Sequence, residues 1–144
     1  MIVLDTSILV YAVGGDDRHR HSCREVVAAI RDRKLAATTT FEVIQEFVHV
    51  RSRRRPRSDA VSYGREFVEL LQPLIAVDGR SFEIGLNLYE SEPASGAFDC
   101  MLAAAATVNG CEGLLSADTH FVRVTGLRHY HPIDDLGELT GQNA

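Results

Sequence analysis

The chain has 144 residues, 45% of them apolar, which fits one folded domain and excludes extended disorder. A formal net charge of −5 excludes an all-over cationic coat for nucleic acid, yet leaves room for a nuclease whose acids are concentrated and whose arginines stand apart. Three cysteines without a C-x-x-C pair cannot complete a disulfide framework, and no apolar run approaches the ~20 residues of a membrane span, so a cytoplasmic protein off the membrane is expected.

Ile2-Val3-Leu4 reads as a short buried strand ending at Asp5; with Asp5 interrupting and no basic stretch ahead of it, this run is not read as a signal peptide. Thr6-Ser7 caps a helix through Val13 that Gly14-Gly15 ends, and Asp16-Asp17 opens a second with Cys23, Val26, Val27 and Ile30 at helical spacing. The cysteines are expected as small buried hydrophobes. Residues 34–38 suggest a second strand. Thr39 or Thr40 then caps a helix with Phe41, Ile44, Phe47 and Val48 on its buried face, and Pro56 stops it after an arginine-rich turn. Ser58 or Asp59 begins the next helix, carrying Val61, Phe67, Val68, Leu70 and Leu71. Leu74 to Val77 resembles a third strand, followed by a helix through Phe82, Ile84, Leu86, Leu88 and Tyr89. Residues 92–97 are a loop, 98–109 an Ala-rich helix, 113–116 a fourth strand and 128–131 a fifth. Alternating strands and helices predict an α/β fold: a mostly parallel sheet of four to five strands flanked by helices on both faces. The domain is expected over residues 1–134, and residues 135–144 as a tail that is partly disordered.

Parallel sheets hold their sites beyond the C-terminal ends of the strands. Asp5 follows the first strand directly and Asp118 comes two residues after the fourth. Asp99 lies near the start of the Ala-rich helix, and Glu46 lies in the third helix. Each acid alone also fits a structural role: Asp99 as a first-turn acid and Asp118 as a turn cap. Carboxylates gathered in one place repel, and only a cation relieves them. Oxygen-only ligands select Mg²⁺, with Mn²⁺ as substitute. Position alone suggests a hard-metal site and goes no further.

Read together, four segments are more specific. Residues 1–12, 38–47, 95–104 and 115–121 resemble, in order, the acidic motifs of PIN domains, especially the VapC toxins of bacterial toxin–antitoxin pairs, and the resemblance covers residues 1–134. It implies a PIN-like fold and phosphodiester hydrolysis in RNA by a metal-dependent endoribonuclease. It assigns metal ligation to Asp5 and Asp99 first, with Asp118 and Glu46 completing the cluster. Thr6, Ser7 and Ser116 match the family's supporting hydroxyl residues. Glu42 lies one turn before Glu46, and Glu46 matches better because the apolar Phe47 follows it. The resemblance further implies a homodimer neutralised by a small VapB-like antitoxin.

Arg51, Arg53, Arg54, Arg55 and Arg57 form the one dense basic cluster, suited to RNA phosphates, to an acidic antitoxin segment, or simply to a solvated helix end. His129 and His131 have the spacing of metal ligands but no further His or Cys nearby, so a surface strand is expected; His120 stands near Asp118. Phosphatases and receiver domains that also begin with an aspartate after a first strand need a later lysine, and none follows Lys34. The remaining rival is a catalytically silent PIN-like binding module.

Overall fold

The computed structural model describes residues 1–15 and 17–142. In chain order its elements are β1 (Ile2–Leu4), α1 (Thr6–Val13), α2 (Arg20–Arg31), β2 (Ala37–Thr38), α3 (Phe41–Ser52), α4 (Arg57–Leu71), α5 (Gly79–Ser91), α6 (Ala97–Val108), β3 (Gly113–Leu115), β4 (Arg128–Tyr130) and α7 (Leu136–Thr140). The four strands are all parallel, in the order β2-β1-β3-β4. β1 and β3 are buried at every residue, as central strands covered on both faces must be.

The first strand therefore occupies the middle of the sheet, and its partner β3 comes from the far end of the chain. Their register sets Leu4 opposite Leu115. Asp5 and Ser116 are then the next residues on adjacent strands, and the Asp5 N–H donates to the Leu115 carbonyl at 2.9 Å. The core on the sheet joins Val3, Leu4, Ile8, Leu9, Phe47, Leu71 and Leu114. Phe47 and Phe67 meet edge to face with ring centres 5.0 Å apart, locking α3 to α4. Cys23, Cys100 and Cys111 are all buried free thiols, as expected of small apolar residues. Among the described residues no helix is long and apolar enough to cross a membrane.

Four expectations change. Residues 74–77 form no strand: Ile75 makes a single parallel bridge to Thr40, and its N–H donates to the Thr39 carbonyl. The segment lies at the outer edge beside β2, which is only two residues long, so there is no ladder for it to extend. Residues 136–140 in the expected tail form α7, which packs on α2 and buries Leu139; Asn143 and Ala144 lie outside the described residues. Phe41 is 64% exposed rather than part of the buried face of α3, because it opens the helix beyond the end of β2. Of the pair Asp16-Asp17 expected to open α2, Asp16 lies outside the described residues, and α2 begins later, at Arg20.

Candidate active site

Three helix N-termini point at one edge of the sheet. α1 leaves β1 directly and α3 follows β2, so both start at the strands' C-terminal ends. α6 runs down to feed β3, so its first turn is at that edge too. Each N-terminus carries partial positive charge, which favours acids there. Asp5 is the residue preceding α1, Asp99 lies in the first turn of α6, and Glu42 in the first turn of α3.

A small hydrogen-bond network fixes the acids. Asp5 Oδ2 accepts from Ser7 Oγ at 2.9 Å and from Ser116 Oγ at 2.8 Å. Ser7 Oγ also accepts from the Ala117 N–H, and Ser116 Oγ from the Asp118 N–H at 3.0 Å. Ser116 is wholly buried, so its hydroxyl is a fixed link between the first strand and the loop that carries Asp118. Thr6 Oγ1 donates to Glu46 Oε2 at 2.8 Å and ties α1 to α3. Asp118 is exposed at the mouth, and its Oδ1 accepts from the His120 N–H at 2.8 Å. The His120 ring itself extends into solvent, 93% exposed.

Asp5 and Asp99 are the half-buried members of the group, and the carboxyl pKa of Asp99 is pushed up to about 6. Burial is the larger cause; the negative charges of Asp5, Asp118 and Glu46 add to it. The other three acids thus bear electrically on Asp99. The four do not form a finished cage: among the described residues no group of three or more His, Cys, Asp or Glu side chains is gathered tightly enough to hold a metal ion by itself. Three of the four, Asp5, Glu46 and Asp99, line a cleft of about 310 Å³ together with Thr6, Glu42, Phe82 and Phe98, among others; Asp118 is not among its lining residues. Both glutamates face this cleft. Glu46 is the one tied to Thr6 and the one whose charge bears on Asp99.

The other sequence candidates fall elsewhere. Arg53, Arg54, Arg55 and Arg57 are exposed where α3 gives way to α4, at the end of α3 opposite the cleft. Arg51 is turned inward and leaves that exposed set: its guanidinium grips both Asp59 oxygens (2.6 and 3.3 Å) and the Val13 carbonyl (3.0 Å). That grip holds the Asp59 carboxyl below its ordinary range. His129 packs against Phe121 and His131 against His19, so the two rings have different neighbours; both are half-buried rather than on an open strand surface. Phe82 and Phe98 on the cleft wall escaped the reading of motifs. The available signal was Phe98 immediately before an acid in a first helical turn, where no core can cover it.

The PIN-domain family model matches residues 2–127. Ribonuclease VapC7 from Mycobacterium tuberculosis is 47% identical over 136 residues, covering 92% of each chain. A chain in the crystal structure of VapBC2 from Rickettsia felis, bound to a DNA fragment from their promoter, has the same fold: the TM-score is 0.68 at 20% identity, over 91% of this chain and 98% of that one.

Proposed function

The chain belongs to the PIN-domain family and to its VapC branch, and from that premise we propose that it is the endoribonuclease toxin of a toxin–antitoxin pair, cutting phosphodiester bonds in RNA at Asp5, Glu46, Asp99 and Asp118. The observation that carries this reading is the gathering of acids: Asp5, Glu42, Glu46 and Asp99 line one cleft, no basic side chain lines it among the described residues, and Ser7 and Ser116 fix Asp5 there by hydrogen bonds. Such a site favours a cation and repels bare phosphate.

The donor set is oxygen throughout, which suits Mg²⁺ or Mn²⁺ and not zinc. The open arrangement also suits Mg²⁺, which takes one or two carboxylates directly and keeps its waters. Asp5 and Asp99 are the residues to hold it, with Glu46 and Asp118 completing the set. When bound, the ion supplies charge that offsets the acids and the substrate phosphate. The chain's own part is placement. Ser7 and Ser116 hold Asp5, so that it does not swing away from like charge. Thr6 holds Glu46 at the cleft wall. Asp118 Oδ1 is occupied by the His120 N–H, which leaves Oδ2 free to orient an attacking water and to take its proton.

A VapB-like antitoxin as partner, pairing of two copies and action in the cytoplasm go with the same reading. Arg53, Arg54 and Arg55 are the proposed contacts for RNA phosphates or for an acidic stretch of the antitoxin. The test is cleavage of structured RNA with Mg²⁺ or Mn²⁺ and without antitoxin. Asp5→Asn and Asp99→Asn are expected to lower cleavage by at least ~10³-fold while the circular dichroism spectrum stays native. Full activity in excess EDTA, or in either variant, would falsify the metal reading. A folded wild-type protein that cuts no RNA would point to the silent binding module instead.

A further inference from the structure

Three large aromatic rings stand uncovered around the edge of the sheet that carries the acids. Phe98 is 73% exposed, Phe41 64% and Phe82 49%. Two of them, Phe82 from α5 and Phe98 from α6, line the same cleft as Asp5, Glu46 and Asp99. Their placement is fixed by the tightest helix contact in the molecule: α5 lies against α6 with no side chain at Gly85, and Met101 fills that gap. Ser81 and Gly85 are the buried face of α5, so Phe82, one residue round from Ser81, is turned to the cleft. Phe98 opens the first turn of α6 one residue before Asp99, so its ring and that carboxylate share one wall of the cleft.

We propose that Phe82 and Phe98 form a stacking site for one unpaired RNA base beside the phosphate that is cut. This rests on the ribonuclease reading above. Aromatic rings hold bases of unpaired RNA through their faces, whatever the base, and add binding without adding charge. The net charge of −5 leaves this chain short of electrostatic attraction for RNA, so uncharged stacking next to the acids supplies what the surface lacks. A base is also the occupant that the surroundings favour. An apolar protein surface laid over this cleft would cover four carboxylates and remove them from water. A nucleotide sets its base on the rings while its phosphate stays on the acid side. The cleft's volume, about 310 Å³, is at the lower limit of small-ligand pockets and admits a single nucleotide rather than a duplex.

Phe82 also begins an exposed stripe with Leu86 and Tyr89 along α5, the kind of face a second copy of the chain can cover. The experiment separates the two. Cleavage is compared on two RNA oligomers that differ only in carrying a base or an abasic residue beside the cut. For wild type the base-bearing RNA is expected to have a kcat/KM ~10- to 100-fold higher. Phe98→Ala and Phe98→Leu should shrink that ratio towards one, and Phe98→Trp should restore it. Leu keeps apolar bulk without an aromatic face, so a Leu variant with the wild-type ratio overturns stacking. So does a loss of dimer mass in light scattering for Phe98→Leu with the ratio unchanged. Binding is read separately in the Asp5→Asn background, through quenching of 2-aminopurine placed at that position. Quenching that vanishes with Phe98→Leu supports the site even if the wild type cuts no RNA, which would defeat the ribonuclease reading alone. Efficient cutting without any quenching defeats the stacking site alone.

Discussion

Asp99 is held in the folded chain with a pKa of about 6, against an ordinary 3.8. The sign of its effect on stability follows. Between those two values the folded state keeps a proton that the unfolded chain has lost, so stability falls as pH rises through this window and stays lower above it. Asp99→Asn removes the penalty. In EDTA at pH 8 that variant should melt above wild type by about 1 kcal/mol of stability, the full linkage value being reduced for partial solvent screening. At pH 3 the difference should vanish. Saturating Mg²⁺ should reverse the order, since only the wild type gains from the ion; a Tm difference insensitive to pH would show that the Asp99 carboxyl is not raised in the folded chain. Ser116 is a second residue whose part is visible. Its buried hydroxyl joins Asp5 to the Asp118 backbone, so Ser116→Ala should lower cleavage ~10- to 100-fold while the protein still melts cooperatively. Residue by residue, Asp5, Asp99 and Asp118 were picked out because they follow apolar strands or lie in a first helical turn, and Glu46, further into α3, only through the family resemblance. The partners that fix them were less so. That Thr6 bonds to Glu46, and not to its own helix, depends on how α1 crosses α3, which no local pattern encodes.

At the scale of elements, the strands and helices were readable wherever burial was periodic, and misread where an element lies at an edge. The segment 74–77 has strand-like residues, yet its would-be neighbour β2 has two residues and a single bridge beyond it. Phe41 has the helical spacing of a core residue, but spacing does not say where the sheet ends. Helix ends matter more to this site than helix interiors. Thr40 caps α3 by accepting from the Val43 N–H at 3.2 Å. Thr40→Ala should cost about 1 kcal/mol and, by loosening the first turns, lower cleavage along with stability. Gly85 is the opposite case, where a better helix former should do harm. A methyl group there would overlap Met101 Sδ and approach the Met101 Cα to 3.2 Å, so the Met101 side chain must shift and α6 must give way slightly at its backbone. The gain in helix propensity, ~0.5–1 kcal/mol, is smaller than the ~1–3 kcal/mol of overpacking. Gly85→Ala should therefore lower Tm, by roughly 2–4 °C for each kcal/mol lost. An unchanged or higher Tm would mean that Met101 moves aside freely.

For the molecule as a whole, charge is divided by place. Acids occupy the edge of the sheet where the cleft opens, and Arg53, Arg54, Arg55 and Arg57 the far end of α3, so net charge alone describes neither. The distance between them is about two to three helical turns, roughly 10–15 Å. If those arginines follow an RNA strand leading away from the cleft, replacing Arg53, Arg54 and Arg55 by Gln should weaken binding at low salt and flatten the plot of log affinity against log salt by about 2, at ~0.7 per phosphate contact. An unaltered slope would place the arginines against the antitoxin instead, where the same variant should weaken the complex. Of the four acids that the family motifs single out, Asp5, Glu46 and Asp99 line the cleft; the separation of the two charged ends arises from the length of α3 and was not visible in composition.

The central position of β1 has a consequence for how the chain is made. β1 is made before β3 and then waits for that partner, since the bond from Ser116 to Asp5 spans 111 residues. At the usual ~5–20 residues per second, translation leaves the nascent chain unarmed for on the order of ten seconds. Asp118 is the last of the four proposed acids to emerge, so a polypeptide abandoned before it lacks one member of the proposed site. A site that needs both Asp5 and Asp118 is thus complete only once β3 has been made and docked beside β1.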